Sequence, residues 1–158
     1  TNSQADDICA RLARDHKSVP TIRFLSKAGV TRADVAVVRD TADLPSGKCV
    51  VVGTAAKWSL VTVTQPFDIL LIEEAWQLAW ADFMLLSQVS DRFVLIGDPG
   101  QIPPVVTIDT ARWETSPRAP HRSAPQMLVE ESAVRKEMLT LPATRRLPND
   151  SVDLVRPF

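Results

Sequence analysis

Glycine is scarce in this chain. The 158 residues hold five glycines, and none falls into Gly-x-x-x-x-Gly-Lys-Ser/Thr, the spacing that lets a backbone approach phosphates closely. Cysteine is scarcer still. Cys9 and Cys49 alone fit neither a disulfide framework nor a zinc site, which takes about four ligands; they read as buried thiols of a reducing cytosol. His16 and His121 have no cysteine or histidine at ligand spacing, so no histidine-based metal site is expected. Apolar runs such as Ile69-Leu70-Leu71-Ile72 fall far short of the about 20 residues that span a bilayer, and no signal peptide is evident. A cytoplasmic protein without a membrane partner is expected. With a formal net charge of -1 there is no global basic field, so any nucleic-acid partner must be held by a local patch.

What is present suits one globular domain. Hydrophobic residues make up 45% and charged residues 23%, an ordinary balance for a packed core. The chain opens on Thr1 rather than Met and closes on the apolar Phe158; both ends are expected to be cuts inside a longer protein. Apolar residues at one-face spacing predict a helix over Gln4–His16, with Asp6 and Asp7 in its first turn, where the dipole favours anions. A short strand follows at Thr21–Leu25. Ala33–Val38 reads as a strand or a short helix, and Leu44-Pro45-Ser46-Gly47 as a turn. Cys49–Val52, Phe67–Ile72 and Phe93–Ile96 are non-alternating apolar runs, the pattern of strands buried on both faces of a parallel sheet. Trp58–Leu60 and Gln77–Val89 read as helical connections, the second with a stripe of Ala79, Phe83, Leu86 and Val89. Residues 107–126 are rich in proline and arginine without apolar period and read as an exposed loop. Met127–Ser132 reads as a short helix, Met138–Leu141 as a last strand, and Asp150–Val155 as a short amphipathic end. Strand and helix alternating at these lengths predict an α/β fold with right-handed crossovers.

All three apolar runs end in small or polar residues. Ligands of open parallel sheets bind beyond the carboxyl ends of the strands, which sets Thr54, Glu73, Glu74, Asp98 and Gln101 along one rim. Two adjacent acids directly after an apolar strand are costly unless they meet a cation or water. Neighbouring side chains diverge, so one can hold a hard cation by its oxygens while the other orients a water.

These segments resemble the ATPase core of superfamily 1 helicases, of the 1B type. Ile72-Glu73-Glu74-Ala75 resembles the Walker B motif, usually Asp-Glu-Ala-Gln. Gly97-Asp98-Pro99-Gly100-Gln101-Ile102-Pro103-Pro104 resembles motif III, the most specific match. Leu139–Pro148, with Arg145-Arg146, is similar to motif IV; Thr1-Asn2-Ser3-Gln4 resembles motif Ia; and Gly53-Thr54-Ala55-Ala56-Lys57-Trp58 resembles motif Ic. The motifs stand in the family's order along nearly the whole chain.

The resemblance implies a three-layer α/β/α domain of the RecA-like, phosphate-loop NTPase type, spanning residues 1–158 and incomplete because the Walker A strand is missing. It implies ATP and Mg²⁺ as ligands, and hydrolysis coupled to movement on single-stranded DNA or RNA. By the same resemblance Glu73 is the Mg²⁺ ligand and Glu74 the water-activating carboxylate. Asp98, Gln101 and Arg146 face the nucleotide, Gln101 as sensor of the γ-phosphate and Arg146 as the transition-state cation. Thr1, Asn2, Ser3, Gln4, Thr54, Lys57 and Trp58 are the nucleic-acid contacts it implies. The family's phosphate loop lies upstream of motif Ia, so the chain is expected to be a fragment that pairs with the remaining motor domain of a parent protein. The fragment alone is expected not to turn ATP over. The absent strand would lie between Phe93–Ile96 and Met138–Leu141. Both are therefore expected to show open edges, which dimerisation of the fragment, rearrangement or a segment outside these residues would cover.

Three departures stand out. Glu73 replaces the usual Asp, Trp76 occupies the usual Gln position with Gln77 one step on, and Arg145 stands where Tyr is common. Gly53-Thr54-Ala55-Ala56-Lys57-Trp58-Ser59 imitates a phosphate loop but lacks its second glycine. The residues themselves leave other readings open. Thr1–Gln4 can be a helix cap, Lys57-Trp58 a surface lysine beside a buried ring, and Arg145-Arg146 a surface basic pair. The whole can be a nucleotide-binding switch that unwinds nothing, or a doubly wound domain with another small ligand at the rim.

Overall fold

A computed structural model describes residues 1–141. The chain has a mixed α/β fold built on small sheets and divides into two compact units. The first comprises Thr1–Ile72 with Ala81–Val94, and the second, among the described residues, Glu73–Trp80 with residues 95–141.

The first unit centres on a three-stranded parallel sheet in the order β2-β1-β3, with β1 Thr21–Phe24, β2 Ala36–Val38 and β3 Val50–Val52. Ile22 pairs with Ala36 on one side and with Val51 on the other. Every residue of β1 is buried, as its central place dictates. Helix α1, Asn2–Asp15, lays Ala5 and Cys9 against this strand. Its N-cap is Thr1, in a capping box: the Thr1 hydroxyl accepts from the Gln4 N–H, and the Gln4 side chain answers the Thr1 backbone, so two orphan helix donors are satisfied. The helix thus starts two residues earlier than the periodicity suggests. Asp6 sits beyond the first turn, on the buried face.

Thr54 caps the short helix α2, Ala55–Trp58. Trp58 is 5% exposed. Its ring lies 4.6 Å from Phe24, tilted, and 5.6 Å from Phe67, edge-on, the edge-on pair being one that ring quadrupoles favour. Gly53 makes room for it: a Cβ there would stand 2.6 Å from Trp58 Nε1.

Strands β4, Leu70–Ile72, and β5, Phe93–Leu95, form a separate two-stranded sheet. A parallel bridge, Phe67 with Ser90, precedes them, and the Leu70 N–H donates to Arg92 C=O. Both strands are shorter than the apolar runs they lie in. Helix α3, Trp80–Leu86, buries Phe83 and Leu86, and Phe83 meets Phe93 edge-on at 5.2 Å.

Several sequence expectations are corrected here. β4 and β5 are not buried on both faces: Leu71 is 59% exposed, and Ile69, Val94 and Ile96 are exposed as well. The reason is that among the described residues their sheet has two strands only, so each strand pairs with one neighbour alone and part of the apolar surface stays exposed. Gln77–Val89 is not one helix but a 3₁₀ turn at Ala75–Gln77, then α3, then a 3₁₀ turn at Ser87–Val89. Met138–Leu141 forms no strand; Met138, Leu139 and Leu141 are exposed. Ala36–Val38 resolves as a strand. Cys9 is buried and Cys49 half-buried, both as free thiols. Within 107–126 the chain is exposed at first. From Ala119 it is anchored: Ala119 and Ser123 are buried, Ala79 bridges Ser123, and helix α4, Ala124–Glu130, begins inside the segment with Pro125 in its first turn, where proline's missing N–H costs nothing. Arg145, Arg146 and Asp150–Val155 lie outside the described residues.

Candidate functional site

The second unit gathers the residues that follow β4 and β5. Glu74 is the one described residue other than glycine with positive φ, at φ 56° and ψ 38°. A non-glycine side chain in this left-handed conformation costs about 1–2 kcal/mol, and such strain clusters where a side chain must be aimed. The turn reverses the chain straight out of β4, so Glu73 and Glu74 do not continue the strand. It leads into the 3₁₀ turn Ala75–Gln77, whose Gln77 N–H donates to Glu74 C=O.

Two contacts fix this turn against the end of β5. The Ala75 N–H donates to Ile96 C=O at 2.9 Å. Gly97 then comes so close that a Cβ would stand 2.9 Å from Trp76 Cδ1 and 3.2 Å from the Ala75 nitrogen. The Gly97–Gln101 segment can meet the Glu73–Gln77 segment only because residue 97 has no side chain. Beyond Gly97 the chain turns again: Asp98 Oδ1 accepts from the Gly100 N–H, and Asp98 C=O accepts from the Gln101 N–H. This Asx-type turn brings Gln101 back toward Gln77.

Gln77 closes the arrangement. Its Nε2 donates to Glu74 Oε2 at 3.4 Å and to Gln101 Oε1 at 3.3 Å. Glu74 is half-buried, while Glu73, Gln77, Asp98 and Gln101 are exposed. The site therefore has an open approach, and a carboxylate and an amide on two different loops share one donor. Gln77 is the residue that sequence reasoning passed over. The available signal was its place one step past Trp76, which itself packs on Gly97 and offers no acceptor.

Glu73 is the candidate Mg²⁺ ligand. Its carboxylate is exposed at the mouth of the turn. Among the described residues no three acidic, histidine or cysteine side chains form a metal cage. Mg²⁺ does not demand one, because it commonly binds through one or two carboxylates plus phosphates and keeps several waters. The donor set fits that mode. Arg146 lies outside the described residues.

The candidate nucleic-acid contacts all belong to the first unit. Thr54 follows β3 of the three-stranded sheet in the first unit, whereas Glu73 and Gln101 belong to the second unit. Thr1 and Gln4 spend their side chains on the helix cap, and the Thr54 hydroxyl accepts from the Lys57 N–H. Lys57 Nζ donates to Arg39 C=O at 2.9 Å and lies 4.2 Å from the centre of the Phe24 ring. Trp58 is a core side chain, and its buried ring offers no face on which a base could stack. Asn2 and Ser3 line an open cleft of about 600 Å³ with Val30 and Arg32.

Behind that cleft lies a buried charge network that the sequence did not announce. Arg23, in the middle of β1, is 0% exposed. Its Nε donates to Asp6 Oδ1 at 2.8 Å, and its other nitrogens donate to Asn2 Oδ1, Phe24 C=O and Val52 C=O. Asp6 also accepts from the Thr31 hydroxyl and the Arg32 N–H. Burial pushes the Asp6 carboxyl up, but the Arg23, Arg32 and Thr31 bonds and the Arg23 charge outweigh it and hold the group below the usual carboxylate range. Burial likewise raises the Cys9 thiol, as suits an inert core cysteine. No helix among the described residues is long and apolar enough to cross a membrane. No protein-family model matches the chain, and no curated protein matches it at a significant level.

Proposed function

We propose that this chain is part of the ATP-hydrolysing motor domain of a superfamily 1 helicase or translocase, of the RecA-like three-layer type, that acts on single-stranded nucleic acid. The observation that carries the reading is the meeting of Glu74 and Gln101 through Gln77 on two loops at the carboxyl ends of neighbouring strands. That is the place and the residue chemistry expected of a water-activating carboxylate beside a phosphate sensor.

In this reading a water attacks the γ-phosphorus in line. The new O–P bond forms as the bond to the β,γ-bridging oxygen breaks, ADP leaves, and Glu74 takes the water's proton. Gln101 donates its side-chain N–H to a γ-phosphate oxygen. Asp98 shapes the turn that presents it. Glu73 holds Mg²⁺, which supplies charge neutralisation on the phosphates when bound. Arg146 supplies the remaining positive charge, a contribution that can reach about 10³–10⁵ in rate. Ser3, exposed beside the cleft at the start of α1, is the strongest nucleic-acid contact of this reading, with Asn2, whose Oδ1 accepts from Arg23, next to it.

Glu74→Gln in the full-length protein tests it. Loss of ATP hydrolysis by at least about 100-fold, within the range for removal of a general base, with nucleotide binding retained, supports the motor. Hydrolysis unaffected by Glu74→Gln overturns it. Tight ATP binding with no hydrolysis in the unaltered protein assigns the chain to a nucleotide-dependent switch instead.

A further inference from the structure

We infer that Gln77 is a positioning residue for hydrolysis, setting which end of the Gln101 amide faces the nucleotide and which Glu74 oxygen stays free to take a proton. The inference rests on the ATPase reading and deepens it.

A side-chain amide is ambiguous by itself, because one end accepts hydrogen bonds and the other donates them. Near a triphosphate only the donor end is useful; an outward-facing Oε1 would repel the γ-phosphate oxygens. Gln101 has no buried framework to choose between the two, since its side chain is exposed. Gln77 makes the choice. Its own amide is oriented by the Glu74 carboxylate, which can only accept, so Nε2 faces the pair and also donates to Gln101 Oε1. The acceptor end of Gln101 is thereby turned toward Gln77, and the Nε2 end is left for an anion.

The second Nε2 hydrogen acts on Glu74 in the same way. It engages Oε2 at 3.4 Å, so Oε1 is the oxygen left to receive a proton from water. Glu74 is already committed to the left-handed turn, and Gln77 sits three residues on, within the 3₁₀ turn that this conformation opens. A single donor group therefore ties the base on one loop to the sensor on the other. An amide at position 77 can do this; a carboxylate there cannot, because it has no hydrogen to give at neutral pH.

The test compares Gln77→Leu and Gln77→Glu with the unaltered full-length protein, using Mg·ATP and single-stranded oligonucleotide, with kcat, KM and thermal unfolding measured for each. Gln77→Leu removes both bonds and is expected to lower kcat about 10-fold, the worth of roughly one to two net hydrogen bonds, with KM changed less than about 3-fold. Gln77→Glu is expected to lower kcat about 100-fold. Its acceptor draws the Gln101 N–H₂ inward, so the amide presents oxygen to the phosphate, and its charge sits beside Glu74. A residue that merely held the turn together would give two variants of similar kcat, ranked by their unfolding temperatures. Equal kcat for the two variants, or kcat unchanged in Gln77→Glu, overturns the inference while leaving the ATPase reading intact. Absence of ATP hydrolysis in the unaltered protein overturns both.

Discussion

Replacing Arg23 by methionine probes the most heavily buried charge of the first unit. Methionine keeps much of the side-chain length and apolar stem, so the change removes charge and donors more than volume. Four hydrogen bonds go with it, to Asp6, Asn2, Phe24 C=O and Val52 C=O. Removing one partner of a buried ion pair costs about 3–5 kcal/mol, because the other charge is left uncompensated. Asp6 keeps its bonds from the Thr31 hydroxyl and the Arg32 N–H, which places the expected loss near the lower end, about 3 kcal/mol. Asp6→Asn strands a guanidinium with 0% exposure and is expected to cost at least as much. The double variant has no buried charge left, so its loss should fall short of the sum of the two single losses by about 1–3 kcal/mol. Urea unfolding followed by tryptophan fluorescence reads this cycle, since Trp58 lies in the same unit, packed on Phe24. A loss below about 1 kcal/mol for Arg23→Met, or strict additivity in the double variant, would refute the claim that Arg23 and Asp6 act as a desolvated pair.

Three further outcomes follow from the same geometry. Glu74→Gly should raise stability by about 1 kcal/mol, because glycine relieves the left-handed strain at φ 56°, and on the proposed ATPase reading should abolish hydrolysis; thermal unfolding beside an ATPase assay checks it, and no gain in stability would show the turn to be unstrained. Gly97→Ala should cost about 1–3 kcal/mol as an overpacking change and, on the proposed ATPase reading, depress kcat, since its Cβ would push the Gly97–Gln101 loop off Trp76 and Ala75; wild-type kcat would mean that the loops need not meet. The third concerns acid. The folded-state pKa of Asp6 is lowered, so its stabilisation is complete above the unfolded value, about 3.9, and is lost as pH falls through the lower folded value. Asp6→Asn should therefore flatten the decline of stability below about pH 4, as measured by urea titrations across that range; an unchanged slope there would count against the ion pair.

The sheet elements were legible where apolar runs stop abruptly. Thr21–Leu25 and Cys49–Val52 end within a residue of the observed β1 and β3, because a polar or small residue at the end of a buried strand marks where pairing must cease. Burial was misjudged for Phe67–Ile72 and Phe93–Ile96 because a non-alternating run signals two covered faces only if the covering elements exist. Among the described residues Leu71 and Val94 are only partly covered. The start of α1 is hidden from the periodicity for a local reason. Asp6 and Asp7 look like first-turn acids, yet the capping box at Thr1 and Gln4 begins the helix earlier and turns Asp6 inward. An arginine inside the strand Thr-Ile-Arg-Phe and an acid three residues before Cys9 on the same helical face were the available hints of their pairing. Neither says in one dimension that the two would meet.

The candidate site shows the same division between what a linear pattern contains and what packing adds. Glu73-Glu74 and Gly97–Gln101 were readable because each motif is a short run of special residues after a strand. The support of the turn was not readable, because it comes from segments far apart in sequence. On one side, the Ala75 N–H donates to Ile96 C=O and Gly97 admits Trp76. On the other, Leu78 C=O accepts from the Ala124 N–H, and the Trp80 N–H donates to Arg122 C=O. The helix expected from Gln77 to Val89 is interrupted at Leu78–Ala79 because this backbone is spent on bonds to 122–124, which a continuous helix would need for itself. The arginine- and proline-rich stretch, which reads as an exposed loop in the sequence, thus returns to brace the strand exit that carries Glu74. A residue in a costly conformation persists only where its surroundings over-determine it, and bonds from two directions to residues 75–80 are what over-determines this one.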